Sequence, residues 1–220
     1  MSEPDRARRV WGIGTPRTLR PHWMLGELKL EYETKFVITR SADMQTPEFR
    51  ALSGRGKIPI FQDGGLTIGE SAAIVLYLAD RYRSRADLAP PSGTDERARL
   101  EELCFFIMTE MDAPLYVIRR HAGLPEVYGA SDVAVRAAET YFLRSSEEMV
   151  ARISDGRAHL LGAEFSVADL LLKTCLDWAA FVQIPIPEAL GPYSASISAR
   201  PAYQAAMRKN YPPEALAALR

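Results

Sequence analysis

Lys57-Ile58-Pro59-Ile60-Phe61, followed by Gly64-Gly65 and then Glu70-Ser71, form the sharpest chemical pattern in the chain. A proline inside a strand marks an edge or an irregular position. A cis bond there turns a backbone edge outward, so the N–H and C=O of Ile58 could pair with a peptide ligand added as a strand. Gly69-Glu70-Ser71 then opens a helix, whose N-terminus offers free N–H groups and a favourable dipole to a carboxylate. Ser71 adds a hydroxyl donor, and Glu70 can accept from an ammonium group. Singly, each piece is an ordinary edge-strand proline or helix start. In this order they suit the α-amino-acid end of a γ-glutamyl peptide.

The elements that must position these residues follow from periodicity and breakers. Residues 7–13 read as a first strand, broken by Gly14-Thr15-Pro16. Residues 18–28 read as a helix with Leu19 and Trp23 on its inner face and Pro21 in its first turn, where the missing N–H costs little. Strands are expected over residues 30–38 and 58–62, a short helix after Thr46-Pro47, a hairpin turn at Gly64-Gly65, a strand over 66–68 and a helix over 70–82. The order β-α-β-α-β-β-α implies a small mixed sheet with helices on its faces. Pro90-Pro91-Ser92-Gly93 marks a linker, and the expected division is a domain over 1–84, a linker over 85–93 and an all-helical domain over 94–220. In that half, Leu100, Leu103, Cys104, Ile107, Met108, Met111 and Leu115 repeat at helical spacing, and Pro114 predicts a kink. A second long helix is expected over 131–154 and a third after Phe165. A Pro-rich connection follows over 184–192, and a short helix after Arg200-Pro201.

Bulk properties narrow the function classes. The 220 residues are 47% hydrophobic and 25% charged, enough for a real core and against disorder. A formal net charge of −1 gives no field to draw nucleic acid or an anionic membrane. Two cysteines, Cys104 and Cys175, both within apolar helical patterns, are too few for a disulfide framework and read as buried thiols. No apolar run reaches the roughly 20 residues that span a bilayer, and residues 1–30 show no secretory signal, so a cytoplasmic protein is expected. His22, His121 and His159 have no metal-ligand spacing, and no metal is expected.

The block Gly56–Tyr82, GKIPIFQDGGLTIGESAAIVLYLADRY, resembles the glutathione-binding half of cytosolic glutathione transferases. A second block, Leu160–Leu172, resembles that family's buried helix-capping segment: Ser166 caps, Asp169 reaches back, and Phe165 and Leu170 form a hydrophobic staple. The likeness covers residues 10–209. It implies a thioredoxin-like α/β N-terminal domain followed by an all-helical C-terminal domain. It also implies a cis-proline at Pro59, glutathione as co-substrate bound by Ile58, Pro59, Glu70 and Ser71, and a homodimer; Lys57 is a separate candidate for binding the glycyl carboxylate of glutathione. Arg40 and Gln45 are further candidates for the glycyl carboxylate. Along the first helix of the second domain, Met108, Met111, Asp112 and Tyr116, with Arg119 beside them, are expected to border the pocket for a small hydrophobic electrophile. Met and Tyr at this spacing equally suit a core.

That family places a Ser, Cys or Tyr in its first strand-to-helix loop to stabilise the glutathione thiolate. Here the loop is Trp11-Gly12-Ile13-Gly14-Thr15-Pro16-Arg17-Thr18. Thr15 is the first candidate donor and Thr18 the second, while Arg17 could act by charge; Thr15 as a mere helix cap is the even alternative. The lack of a cysteine disfavours a thiol–disulfide oxidoreductase. Two functions are therefore expected to compete: a glutathione S-transferase active in detoxification, and a glutathione-binding or interaction module of the same fold with little turnover.

Overall fold

The structure, a computed structural model, describes residues 6–217. Its contacts divide into two units: residues up to Asp87 together with those from Ala199 onward, and Leu88–Ser198. The last helices thus belong with the first unit, although the sequence reading grouped them with the helical half.

In the first unit, β1 (Arg8–Ile13), α1 (Pro16–Glu27), β2 (Glu33–Ile38), α2 (Pro47–Leu52), β3 (Ile60–Asp63), β4 (Leu66–Gly69) and α3 (Ser71–Arg81) follow in order. The sheet runs β2-β1-β3-β4, with β1 parallel to β2 and antiparallel to β3, and β3 antiparallel to β4. This is the thioredoxin-like arrangement. On one face of the sheet Trp11, Val37 and Ile60 pack with Met44 and Phe49, and Leu52 and Ile58 border that cluster. The turn between β3 and β4 is pinned through Asp63, which accepts from Arg6, Tyr77 and Tyr82. Burial opposes its charge, but these bonds prevail and hold its carboxyl below the usual range.

Helix α1 begins at Pro16 rather than Thr18, which places Pro21 in the second turn instead of the first. The cause is local: Thr15 as N-cap and Pro16 at the first helical position favour the earlier start. Strand β3 starts after Pro59, because proline cannot donate to the ladder.

In the second unit, α4 (Asp95–Phe106), capped by Thr94, leads into a π-helical segment, Ile107–Asp112, and then α5 (Ala113–His121). The expected disturbance at Pro114 takes the form of this widened turn ahead of it, since Pro114 cannot supply the N–H that a regular α ladder needs. α6 (Pro125–Tyr128), α7 (Asp132–Ile153), α8 (Val167–Phe181) and α9 (Leu190–Ser198) complete the unit. α9 begins inside the stretch read as a connection, and α6 had no clear periodic signal. Helix α8 is buried on nearly every side. Back in the first unit, α10 (Pro201–Asn210) packs on α1, and α11 (Pro213–Ala217) closes the described chain. Among the described residues no helix is long and apolar enough to cross a membrane.

Candidate functional site

The peptide bond between Ile58 and Pro59 is cis, as the resemblance implied. Ile58 lies just outside the β3 ladder and is half-buried. Ahead of it, Ser53 clamps the Lys57 main chain: the Lys57 N–H donates to Ser53 Oγ, and that hydroxyl donates to the Lys57 carbonyl, both at 2.9 Å. Gly12 makes room for this loop. A Cβ there would lie 2.7 Å from Ile58 Cβ and 2.9 Å from Thr18 Cγ2, at a φ of 120° that favours glycine. β1, the loop before Pro59 and the start of α1 therefore meet at one point.

Glu70 precedes α3 at φ 64°, a left-handed conformation uncommon outside glycine, and its side chain does not cap the helix. It is turned outward, where it pairs with Arg55 on the surface. The first N–H groups of α3 are thus not capped by their own N-cap residue. Ser71, only 4% exposed, stands beside them. Behind it, Arg20 of α1 is fully buried and donates from Nη1 to Ser71 Oγ at 3.0 Å. That bond leaves the Ser71 hydroxyl proton to point elsewhere, and it puts a buried cation behind a helix N-terminus. Both features favour an anion at this spot.

The start of α1 is built differently. Thr15 Oγ1 accepts from the Thr18 N–H at 3.0 Å, while the Thr15 N–H donates to Thr18 Oγ1 at 2.9 Å, a reciprocal cap. Thr18 is fully buried. From α10, Asn210 reaches both residues: Nδ2 donates to the Thr15 carbonyl at 3.0 Å, and Oδ1 lies 2.8 Å from Thr18 Oγ1. The Gly14 N–H donates to the Asn210 carbonyl at 2.8 Å. Thr15 and Arg17 keep part of their surface accessible. The two hydroxyl oxygens lie 3.0 Å apart; of the two threonines, only Thr15 keeps surface from which a ligand could reach its hydroxyl, while Thr18 is turned into the cap.

Beside the loop, His22 Nε2 lies 3.0 Å from the Gly12 carbonyl and Nδ1 lies 3.0 Å from the Tyr32 hydroxyl. Burial pushes the His22 pKa down to about 4; the Gly12 bond opposes this and nearby Lys209 adds to it. A neutral ring must donate from Nε2 to the carbonyl and accept at Nδ1. Through both ring nitrogens it holds the loop. Among the described residues no group of three His, Cys, Asp or Glu side chains could hold a metal ion.

Lys57, Arg40 and Gln45 are exposed, and Gln45 is engaged by Arg50. On the helical unit, Met111 and Asp112 are buried at 0% and 1% exposure, so they pack inward. Met108, Tyr116 and Arg119 remain half-buried, and the Tyr116 ring is stacked by the Arg120 guanidinium 4.4 Å from its centroid. At α8, Asp169 accepts from the Ser166 N–H, the Ser166 hydroxyl, the Leu160 N–H and the Tyr193 hydroxyl, all within 2.9 Å. Cys104 and Cys175 are free and buried, and burial pushes the Cys104 thiol up to about 12, which makes it inert.

Residues 15–81 match the family model described as the glutathione S-transferase N-terminal domain. A glutathione S-transferase of a sphingomonad, solved in complex with glutathione, is 30% identical, with a TM-score of 0.78 over 92% of this chain and 98% of that one. The chain belongs to the glutathione S-transferase family. Among curated relatives, glutathione S-transferase hmp2 of Hypomyces subiculosus is 32% identical over 152 residues, 66% of this chain and 69% of that protein. The glutathione S-transferase-like protein gedE of Aspergillus terreus is 35% identical over 100 residues, 44% of this chain and 43% of that protein. Arg20 and Asn210 are the residues of this candidate site that sequence reasoning missed. Arg20 sits one position from the apolar stripe of α1 and reads as a surface cation. Asn210 lies 195 residues from Thr15, and nothing local marks it.

Proposed function

We propose that this member of the family is an active glutathione transferase. Glutathione's γ-glutamyl carboxylate is held by Ser71 and the free N–H groups of α3, with Glu70 turned from Arg55 to the ammonium group. Ile58 pairs with the cysteinyl unit through its main chain, next to Pro59, and Lys57 faces the glycyl carboxylate. The thiol then falls beside Thr15, since Gly12 brings Ile58 against the start of α1. The uncapped N-terminus of α3, backed by buried Arg20, is the observation that carries this reading.

Activation follows from the pKa. A thiol with a pKa near 8.5 is only roughly 3% thiolate at pH 7, and lowering it by two units makes it about three-quarters thiolate. The Thr15 hydroxyl donates to the sulfur, and the dipole of α1 and the Arg17 charge favour the anion. The thiolate attacks an electrophilic carbon, a C–S bond forms, and the leaving group departs with its electron pair. Of the pocket candidates on the helical unit, Met108 and Tyr116 keep part of their surface accessible, as contact with a small hydrophobic electrophile requires. The active form is a homodimer, which sedimentation would reveal.

Glutathione-affinity retention and turnover of chloro-dinitrobenzene by wild type, Thr15→Ala and Thr18→Ala test this. Retention of all three, with kcat/KM reduced about tenfold to a hundredfold in Thr15→Ala, is expected. The inward-turned Thr18 and the cap acceptor role of Thr15 favour a second reading, a binding module. Retention without turnover on a broad electrophile panel would select it.

A further inference from the structure

Two buried side-chain polar atoms among the described residues have no hydrogen-bond partner: Thr34 Oγ1 on β2 and Arg120 Nε on α5. Only the second belongs to a charged group, and native proteins rarely leave such a donor empty unless a water, ion or ligand fills it. Arg120 is half-buried, and no ion pair or hydrogen bond joins its side chain to another described residue. α5 carries no acid, and Glu126 and Asp132, the acids that follow it most closely in the chain, form no ion pair among the described residues. The usual task of a cation in a last helical turn is to bond nearby carbonyls. Here that task falls to its neighbours: Arg119 Nη1 donates to the Gly123 carbonyl at 3.2 Å, and His121 Nδ1 lies 2.8 Å from the Gly129 carbonyl.

What holds Arg120 is aromatic. Its guanidinium carbon lies 4.4 Å from the Tyr116 ring centroid and 5.8 Å from that of Tyr128 on α6. Tyr116 stands four residues earlier, on the same face of α5. Its ring also lies against Trp178 of α8, with 6.5 Å between centroids. Trp178 is only 5% exposed, so this aromatic platform is anchored in the interior of the helical unit. Ring faces attract the positive charge but give Nε no lone pair to donate to. The guanidinium is thus held in place with no acceptor supplied by the described chain, and its planar fork matches a carboxylate. Apolar walls with a few fixed polar groups are the usual composition of a small-molecule pocket.

We propose that Arg120 is a specificity-determining residue: it pairs with a carboxylate on an otherwise apolar, aromatic electrophile whose ring packs against Tyr116. The proposal rests on the pocket role given to Tyr116 above, and it narrows the substrate class from small hydrophobic electrophiles to those that carry an anionic group. A neutral electrophile leaves Nε unfilled and gains nothing from the charge.

The test compares 4-chloro-3-nitrobenzoate with the neutral 4-chloro-3-nitrobenzamide. In both, the glutathione thiolate forms a C–S bond at the chlorinated carbon and chloride leaves with its bond pair. Arg120→Gln is expected to lower kcat/KM for the benzoate about tenfold to a hundredfold, chiefly through KM, against a loss of about threefold or less for the benzamide. Calorimetric binding of 3-nitrobenzoate, which has no leaving group, to protein saturated with S-methylglutathione should weaken by a similar factor. Equal losses on both substrates, or none on the benzoate, overturn the proposal and spare the transferase reading. No turnover of either substrate by wild type, with 3-nitrobenzoate binding that depends on Arg120, overturns that reading and spares the anion site. Neither turnover nor such binding overturns both. If Arg120→Gln does not fold, Arg120→Lys, which keeps the charge but not the fork, is read by the same criteria, with a benzoate-specific loss of about threefold to tenfold expected.

Discussion

Helices α3 and α8 begin in opposite ways. At α8, one carboxylate, Asp169, collects four donors and leaves nothing at the helix start for a ligand. At α3, the N-cap residue Glu70 faces away at a positive φ, no side chain among the described residues caps the first turn, and a buried arginine stands behind Ser71. Both starts carry a serine and an acid within a few residues. The difference is in where the acid points: inward it is a structural cap, outward it leaves a helix end that an external carboxylate can complete. Helix α1 is intermediate in kind, capped by Thr15, whose half-exposed hydroxyl also lies 3.0 Å from Thr18 Oγ1.

This contrast breaks most visibly at Asp169. Asp169→Ala leaves several buried donors without partners, and a loss of about 3–5 kcal/mol in unfolding free energy is expected from denaturant titration. Glutathione affinity per folded molecule should not change. A stability loss under about 1 kcal/mol would mean that water replaces the carboxylate and that the α8 start is less closed than described.

Ser71→Ala should invert the pattern. Isothermal titration is expected to show glutathione binding weakened about tenfold to a hundredfold, the worth of a hydrogen bond to a charged group, with stability changed by about 1 kcal/mol or less. Equal affinity in the variant would remove Ser71 from the recognition set.

The smallest effect is a pH dependence beside α1. The His22 pKa falls to about 4 in the folded protein, because burial disfavours its charged form, against 6.5 for the free side chain. Between these values the unfolded chain binds the proton and the folded chain does not. Stability is therefore lost as pH falls from 6.5 toward 4 and is unaffected above 6.5. By pH 5.5 the cost is about 1 kcal/mol, and His22→Gln should remove that part of the slope. An identical slope in the variant would show that His22 titrates normally.

Much of this architecture is legible in the sequence because it is local. Pro59, Gly64-Gly65 and Ser166-Asp169 act on their own neighbours, and the structure places turn and cap where those residues predict, with β3 beginning just after Pro59 rather than at Ile58. Pro21 suits a first helical turn and so points to a start at Thr18, but Thr15-Pro16 carries the stronger signal and α1 starts two residues earlier. Glu70 and Ser71 open α3, as their order implied. Arg20 and Asn210 were invisible because their roles arise from packing, across the 51 residues to Ser71 and the 195 to Thr15. Polarity alone marks such residues for the surface, and only the fold shows that they are buried.

Glutathione recognition rests above all on the uncapped end of α3 holding the γ-glutamyl carboxylate, as proposed above. Calorimetric titration of wild type with glutathione and with 4-aminobutyryl-cysteinyl-glycine, which lacks only that carboxylate, measures this interaction from the ligand's side. The account predicts saturable glutathione binding and an analogue weaker by about a hundredfold, the worth of several charge-assisted bonds at a helix N-terminus. Equal affinity for the two peptides, or no binding of glutathione, would contradict it.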